Sequence, residues 1–169
     1  MRIIGACLLM AAFLLAGVGI VHEKRTRIQT LRELCAALEI MQGELSVRES
    51  PLPELCRMLS IHGNGKAKIL FTSLLEMLPL LGECSFSALW DKAILCCKND
   101  LNASEREAVR SLGLVLGRYD TRTQIRQLQS CARLLNQNMA ADEQRFPAER
   151  KLLLGLGASA GVMMAVLLW

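Results

Sequence analysis

Charged side chains are missing from both ends of the sequence. The chain has 20 basic and 16 acidic residues, yet none of them falls within residues 3–21 or 152–169. A transmembrane helix needs roughly 17–25 mostly apolar residues, and the two segments supply 19 and 18. A buried helix of a soluble protein would carry a polar face, and apart from Ser159 these segments have none. The pattern predicts transmembrane helices at 3–21 and 152–169, flanking a helical domain at 22–151.

Aromatic residues and excess charge are also scarce. Aromatics make up 4% of the chain, and without Arg2 the middle domain holds 19 basic against 16 acidic residues. No basic stripe is interleaved with aromatics, so the sequence predicts no binding of nucleic acid. The small positive excess instead favours a mild attraction to anionic membrane lipid.

Motifs that carry chemistry are absent from the sequence. The two histidines, His22 and His62, have no metal-ligand partner at helical spacing. There is no phosphate-binding P-loop, no glycine-rich dinucleotide turn and no G-x-S-x-G nucleophile motif. The acidic residues lie beside Arg and Lys, a pattern typical of solvated helix faces. We therefore predict no enzymatic activity, no catalytic residue, no cofactor and no metal.

The cysteines argue against a disulfide framework. Seven is an odd number, no C-x-x-C spacing occurs, and Cys96 and Cys97 are adjacent, which suits neither a disulfide scaffold nor a zinc site. Cys35 and Cys131 lie among leucines, where a thiol acts as a small apolar filler. A reducing cytoplasm fits this usage.

Basic residues cluster on the inner side of both apolar segments. They follow the first segment and precede the second: Lys24, Arg25, Arg27, Arg32, Arg145, Arg150 and Lys151. This bias predicts a two-pass protein with its central domain in the cytoplasm and both termini outside. A cleaved signal peptide is the alternative for residues 3–21, but its n-region would hold only Arg2 and the apolar run is longer than such peptides carry.

Apolar residues recur every three or four positions through the middle domain. One such face comprises Ile28, Leu31, Cys35, Leu38, Met41 and Leu45, and no period of two appears, so helices are predicted throughout. The predicted fold class is all-α: an antiparallel bundle of about six helices, the first and last continuous with the transmembrane helices. Pro147 is expected to kink the last helix.

Helix boundaries are predicted from capping residues. Ser50 is the expected N-cap of the second helix, with Pro51 at its first helical position, and Ser104-x-x-Glu107 matches a capping box for the fifth. Ser85 is expected to cap the fourth helix, and Gly117 to follow the end of the fifth. Asp120 or Thr121 caps the last. A turn at 62–65 and a stop near Pro79 and Gly82 bound the third.

Small residues in the apolar segments predict close helix packing. Gly157 and Gly161 form a G-x-x-x-G, and Ala12 and Ala16 give the first segment a similar face. This spacing lets two helix backbones approach closely in a membrane.

Several short motifs together resemble the stage III sporulation protein AB family of endospore-forming bacteria. Residues 44–46 and 50–54 read E-L-S and S-P-L-P-E, similar to that family's E-I-x and T/S-P-L-P-E segment. Trp90 with Ala93 resembles its A-W-x-x-A. Leu116-Gly117-x-x-Asp120-x-x-x-Gln124 resembles its L-G-x-S/T-D-x-x-x-Q. The resemblance covers essentially the whole chain.

The resemblance implies a role in the trans-envelope complex between mother cell and forespore. The family's cytoplasmic domain is similar to that of type II secretion and type IV pilus inner-membrane platform proteins, which dock a hexameric secretion-type ATPase. The implied partners are that ATPase, stage III sporulation protein AA, other stage III sporulation proteins and further copies of this chain in an oligomer. The implied location is the mother-cell membrane around the forespore.

Partner contacts are expected in two loops, because loops on a rigid scaffold carry function more often than core faces. The candidate partner-binding residues are Glu44, Ser50, Pro51, Leu52, Pro53, Glu54, Arg118, Asp120 and Gln124. The alternative for each is a structural role in starting a helix. For the whole protein, the main alternative is a membrane-anchored regulatory or scaffold protein of another secretion or pilus system. A phosphotransfer domain is a second alternative, but the sequence has no suitable histidine. An enzyme acting on lipid is a third, but the sequence has no plausible nucleophile.

Overall fold

The fold is entirely helical. The computed structural model describes the backbone of residues 2–48, 50–98 and 100–167 and the side chains of residues 23–48, 50–98 and 100–145. Six α-helices run in order: α1 (Arg2–Val47), α2 (Leu52–His62), α3 (Gly65–Met77), α4 (Phe86–Ile94), α5 (Ala103–Val115) and α6 (Thr121–Leu167). Short 3₁₀ turns follow α3 and α4 at Leu78–Leu80 and Leu95–Cys97. The described backbone contains no strand, which confirms the predicted all-α fold with about six helices.

The chain divides into two compact units. The terminal unit comprises Met1–Ile28 and Ala140–Trp169, and the core unit comprises Gln29–Met139. Within the terminal unit, Arg27 Nε donates a hydrogen bond to Asp142 Oδ2 at 2.9 Å and ties α1 to α6. The other contacts described below belong to the core unit.

The predicted membrane segments lie largely beyond the described side chains. Where side chains are described, no helix is long and apolar enough to cross a membrane. The side chains of residues 3–21 and 152–169 fall outside that part, as do those of Pro147 and the small residues Ala12, Ala16, Gly157 and Gly161. The backbones of α1 and α6 run through Arg2–Val47 and Thr121–Leu167. The two spans, their packing and the kink at Pro147 therefore stay predictions.

Trp90 of α4 stands at the centre of the core unit. Its ring centroid lies 6.0 Å from those of both Phe71 and Phe86. Its Nε1 donates to the Val109 carbonyl of α5 at 2.7 Å, so the one polar atom of this buried ring is satisfied. At Gly113, a Cβ would lie 2.5 Å from Trp90 Cδ1. Glycine is thus required where α5 crosses the indole.

The predicted apolar faces are largely buried, and Ile28 on α1 is partly exposed. On α1 the core-facing residues are Leu31, Cys35, Leu38, Met41 and Leu45, and α5 and α6 contribute Val109, Leu112, Leu116, Leu128, Ala132 and Leu135. Burial raises the pKa of Cys35 to about 11 and that of Cys56 and Cys131 to about 12. These three thiols therefore stay protonated and pack as apolar groups.

Two predicted N-caps are wrong. Pro51, not Ser50, is the N-cap of α2, and no side chain caps that helix. The capping box of α5 is formed by Asn102 and Glu105, not by Ser104 and Glu107. Asn102 Oδ1 accepts from the Glu105 N–H at 2.9 Å, and Glu105 Oε2 accepts from the Asn102 N–H at 2.8 Å.

Tertiary packing explains the choice of capping box. Glu105 lies one helical turn before Val109 on the face of α5 that is buried, and its side chain is fully inaccessible. Its second oxygen, Oε1, accepts from Asn138 Nδ2 of α6 at 2.9 Å. Glu107 lies on the exposed face of the same helix and cannot reach α6 in the same way.

Candidate docking site

The two loops predicted to contact a partner lie next to each other. The first joins α1 to α2, and the second joins α5 to α6. They approach so closely that a Cβ on Gly117 would lie 3.2 Å from Leu52 Cδ2. Segments about 65 residues apart in the sequence are therefore brought to one surface.

The first loop is held by hydrogen bonds within the chain. The Glu44 carboxylate accepts from Ser50 Oγ at 3.4 Å and pairs with Arg48 at 3.5 Å. The Pro51 carbonyl accepts from the N–H groups of Glu54 and Leu55. Glu44, Ser50 and Pro51 therefore shape the loop and start α2, and Pro53 falls in the first turn, where a missing N–H costs nothing.

In the second loop, each of the motif residues Gly117, Asp120 and Gln124 has a structural role. Gly117 has φ +72°, a left-handed conformation that ends α5 and favours glycine, as predicted. Asp120 accepts hydrogen bonds from the hydroxyl and the N–H of Thr123 at 2.7 and 3.1 Å, so Asp120 rather than Thr121 caps α6. Gln124 closes the loop: its amide accepts from Gly117 N–H at 3.3 Å and donates to the Tyr119 carbonyl at 2.6 Å.

Hydrogen bonding also sets the charge state of Asp120. Donation from the Thr123 hydroxyl, and then from the Thr123 N–H, holds the pKa of the Asp120 carboxyl below its ordinary value. The ionised carboxylate also lies at the N-terminus of α6, where the helix dipole favours a negative charge.

Between the two loops lies an open apolar groove of about 320 Å³. Leu78, Phe86 and Leu116 form its inner surface, and the exposed side chains of Leu81, Leu114 and Arg118 form its rim. Leu52 and Pro53 close one wall. Among the described residues that line the groove, Arg118 alone carries a charge.

The structure separates the candidate residues into two groups. Leu52, Pro53 and Arg118 line the groove. The other candidates, which hold the loops or start the helices beside it, are Glu44, Ser50, Pro51, Glu54, Asp120 and Gln124. Nine further residues line the groove and were not predicted as contacts, among them Leu81, Phe86 and Leu114. A signal existed for Leu114, which lies off the buried Val109–Leu112–Leu116 face and is 56% exposed.

The groove lies at the end of the core unit opposite to its chain ends. Residues 29 and 139, where the chain leaves this unit, adjoin Thr30 and Asn138, which bond to Asp100 and Glu105. From Glu105 the 13-residue helix α5 carries the chain to the groove over about 20 Å. We call these regions the polar end and the groove end.

No arrangement typical of catalysis appears around the groove. Within the described residues, no three or more His, Cys, Asp or Glu side chains come together in a way that could hold a metal ion. His62 lies exposed at the C-terminus of α2. The chemistry that the groove offers is contact with apolar groups and with a negative charge.

Comparisons with known proteins give one consistent answer. The sequence matches the family model of stage III sporulation protein AB over residues 2–169. It is 23% identical over 170 residues to stage III sporulation protein AB of Bacillus subtilis (strain 168), with 99% of each chain covered. A solved structure of stage III sporulation protein AB is similar with a TM-score of 0.62 at 23% identity, covering 72% of this chain and 96% of that chain, which supports the fold. Because the family model spans nearly the whole sequence, this chain belongs to the stage III sporulation protein AB family.

Proposed function

We propose that the chain is a non-enzymatic platform component of the stage III sporulation complex, in the mother-cell membrane around the forespore. In this proposal residues 3–21 and 152–169 span the membrane, and the core unit docks a secretion-type ATPase, stage III sporulation protein AA, from the cytoplasm. Membership of the family supports a role in sporulation. The similarity to secretion platform domains that the family resemblance implies is the argument for the docking role. Other stage III sporulation proteins and further copies of the chain complete the complex.

The groove is the observation that carries the proposal. Leu81 and Leu114 are 43% and 56% exposed on its rim, next to an inner surface that is also apolar. An exposed apolar rim beside an apolar recess gives a partner's apolar side chain a place to leave water. The loops that shape the groove are those in which this chain resembles its family, which supports a role for the groove in the family's common function.

The side chains of the groove indicate the chemistry of its partner. An apolar side chain would bury its surface against Leu78, Phe86 and Leu114. Arg118, which is exposed at the rim, favours an acidic group beside that apolar anchor. The complementary charge would mainly set orientation and association rate, whereas the apolar contact would supply the larger share of affinity.

The position of the groove also supports a cytoplasmic partner. It lies about 20 Å along α5 from Glu105, and Glu105 bonds to Asn138, next to residue 139, from which the chain leads into a predicted membrane segment. A soluble ATPase could reach this end of the core unit without entering the lipid headgroups.

Replacing a rim residue tests the proposal. Leu114→Asp places a charge in the groove at a position that is 56% exposed, and Ile61→Asp makes the same change at a position that is 59% exposed and outside the groove. Both variants should fold, because neither side chain is in the core. From detergent-solubilised membranes of sporulating cells, we expect Leu114→Asp to lose co-purification of the ATPase at least about tenfold and Ile61→Asp to retain it.

Other results would contradict the proposal in separable ways. Equal recovery of the ATPase with both variants would show that the groove does not take part in the interaction. Failure to recover the ATPase with the wild-type chain after crosslinking would show that the chain does not dock it. Reporter fusions at residue 100 and at the C-terminus test the topology, and protection of residue 100 from cytoplasmic labelling would contradict it.

A further inference from the structure

A pair of adjacent thiols lies at the polar end, apart from the groove. Cys96 Sγ and Cys97 Sγ are 3.5 Å apart in the 3₁₀ turn after α4. Cys97 is fully buried, whereas Cys96 is partly exposed. The pair therefore combines one thiol that a small reagent can reach with a second thiol directly behind it.

Neighbouring groups distinguish the two sulfurs. The hydrogen bond with Cys97 lowers the pKa of the Cys96 thiol against the effect of burial, and the Lys66 ammonium lowers it further, while Asp100 acts in the opposite direction. The same hydrogen bond, together with burial, raises the pKa of Cys97. These opposite shifts favour Cys96 as the thiol that ionises first.

Lys66 is held in place by contacts on several sides. Its Nζ donates to the Cys96 carbonyl at 3.0 Å and pairs with Asp100 Oδ2 at 3.3 Å. Its backbone N–H donates to Glu33 Oε2 at 2.7 Å. A positive charge beside a partly exposed thiol is the environment that favours reactive cysteines.

We propose that Cys96 and Cys97 form a thiol–disulfide exchange site for low-molecular-weight disulfides, in which Cys96 attacks and Cys97 resolves. The Cys96 thiolate attacks one sulfur of a disulfide RSSR, an S–S bond to Cys96 forms, and RS⁻ leaves with the electron pair. Cys97 then attacks Cys96 Sγ, which expels the second RS⁻, and the Cys97 proton passes to one of the released RS⁻ groups to give RSH. The two protein thiols are oxidised to one disulfide while RSSR is reduced to two thiols.

The disulfide between Cys96 and Cys97 is expected to be readily reduced again. Adjacent Cα atoms are about 3.8 Å apart across a trans peptide, below the roughly 4.4–6.8 Å usual for cystines. Disulfides formed outside the usual geometry are the labile kind. The site therefore suits transient oxidation rather than permanent crosslinking.

Oxidised glutathione is a direct probe of the intact chain in detergent. After acid quenching and alkylation, trypsin releases residues 93–98 with both thiols, because Lys92 and Lys98 flank them, while Cys84 falls in another peptide. In the wild type we expect a disulfide within 93–98. Cys97→Ser should instead accumulate one glutathione on Cys96, and Cys96→Ser should take up glutathione on Cys97 at least about tenfold more slowly.

Cys84 provides the matched comparison, since it is also partly exposed. Cys84→Ser should react as the wild type does. The proposal is overturned if Cys84 of the wild-type chain acquires glutathione before Cys96, a result that needs no variant to fold. It is overturned equally if the wild type stops at the mixed disulfide, because Cys97 then does not resolve it.

Discussion

The two ends of the core unit use polar and apolar side chains in opposite ways. At the polar end, polar side chains bond to one another and to a helix terminus: Glu105 accepts from the Asn138 amide and from the Asn102 N–H, and Lys66 pairs with Asp100. At the groove end, Leu81 and Leu114 are exposed beside an apolar recess. Most of the described polar side chains at the polar end bond within the chain, with Arg106 Nε as an exception, whereas at the groove end the exposed leucines adjoin an apolar recess.

The helix N-caps at the two ends are therefore expected to contribute differently to the free energy of unfolding. Glu105 completes its cap while fully buried, so losing its side chain removes the acceptor from the part-buried Asn102 N–H and from the Asn138 amide. Asp120 caps α6 while exposed, and water can replace what is lost. Stability is expected to depend mainly on the polar end, and recognition on the groove end.

The largest effect on stability is expected from Glu105→Ala. It removes both oxygens that satisfy the Asn102 N–H and the Asn138 amide, and should lower the free energy of unfolding by about 2–3 kcal/mol. Urea titration of the intact chain, followed by circular dichroism, measures the change.

Two variants control this result. Glu107→Ala, on the exposed face of the same helix, should change stability by no more than about 0.5 kcal/mol. Glu105→Gln should recover much of the loss, because Gln also serves in a capping box. Equal losses of stability in Glu105→Ala and Glu107→Ala would show that the buried capping box does not contribute more than an exposed side chain.

Gly113 lies between the core residue Trp90 and the groove. Its replacement should give the next largest change in the free energy of unfolding. A Cβ there would lie 2.5 Å from Trp90 Cδ1, whereas a Cβ on Gly43 of α1 would meet nothing within 4 Å. Gly113→Ala should therefore destabilise by about 1–3 kcal/mol. Gly43→Ala should stabilise by up to about 1 kcal/mol. Thermal unfolding that shifts in the same direction for both would contradict the close packing at Trp90.

The smallest expected effect on stability is that of the Asp120 charge, and it is measured as a dependence of stability on pH. Its folded pKa is lowered by donation from Thr123, below an unfolded value of about 3.9. The stabilisation by the ionised carboxylate is thus fully present above the unfolded pKa and is lost as pH falls through the folded pKa.

Asp120→Asn is the matched variant, because Asn also caps helices but does not titrate. The difference in melting temperature between wild type and variant should be constant from about pH 5 to 7 and should shrink below about pH 4. A difference that persists at low pH would show that the carboxylate charge does not contribute.

Local sequence patterns predicted the helices well. Spacings of three and four identified the faces that are buried on α1, α5 and α6. Gly117 and Ser85 were also predicted correctly, since each acts within a few residues of its own position. The error at α5 arose because Asn102–Glu105 and Ser104–Glu107 both fit a capping pattern. Only the distant Asn138 favours the first.

The groove could not be predicted from local patterns. Its surface combines Leu52, Leu81, Phe86 and Leu114, which come from four separate segments and share no spacing in the sequence. The motif residues near it were identified, but most of them prove to shape the loops. The groove between the loops depends on the close approach of Leu52, at the start of α2, to Gly117, after α5, which no local pattern encodes.

The modest size of the groove has a consequence for assembly. A recess of about 320 Å³ admits little more than one anchoring cluster of side chains, so a single copy would hold its partner weakly. Contacts of this kind gain strength when several are made at once, and linked sites can raise avidity by roughly 10²–10⁴. Under the proposed function, attachment to a multi-subunit ATPase would depend steeply on how many copies of this chain are present together.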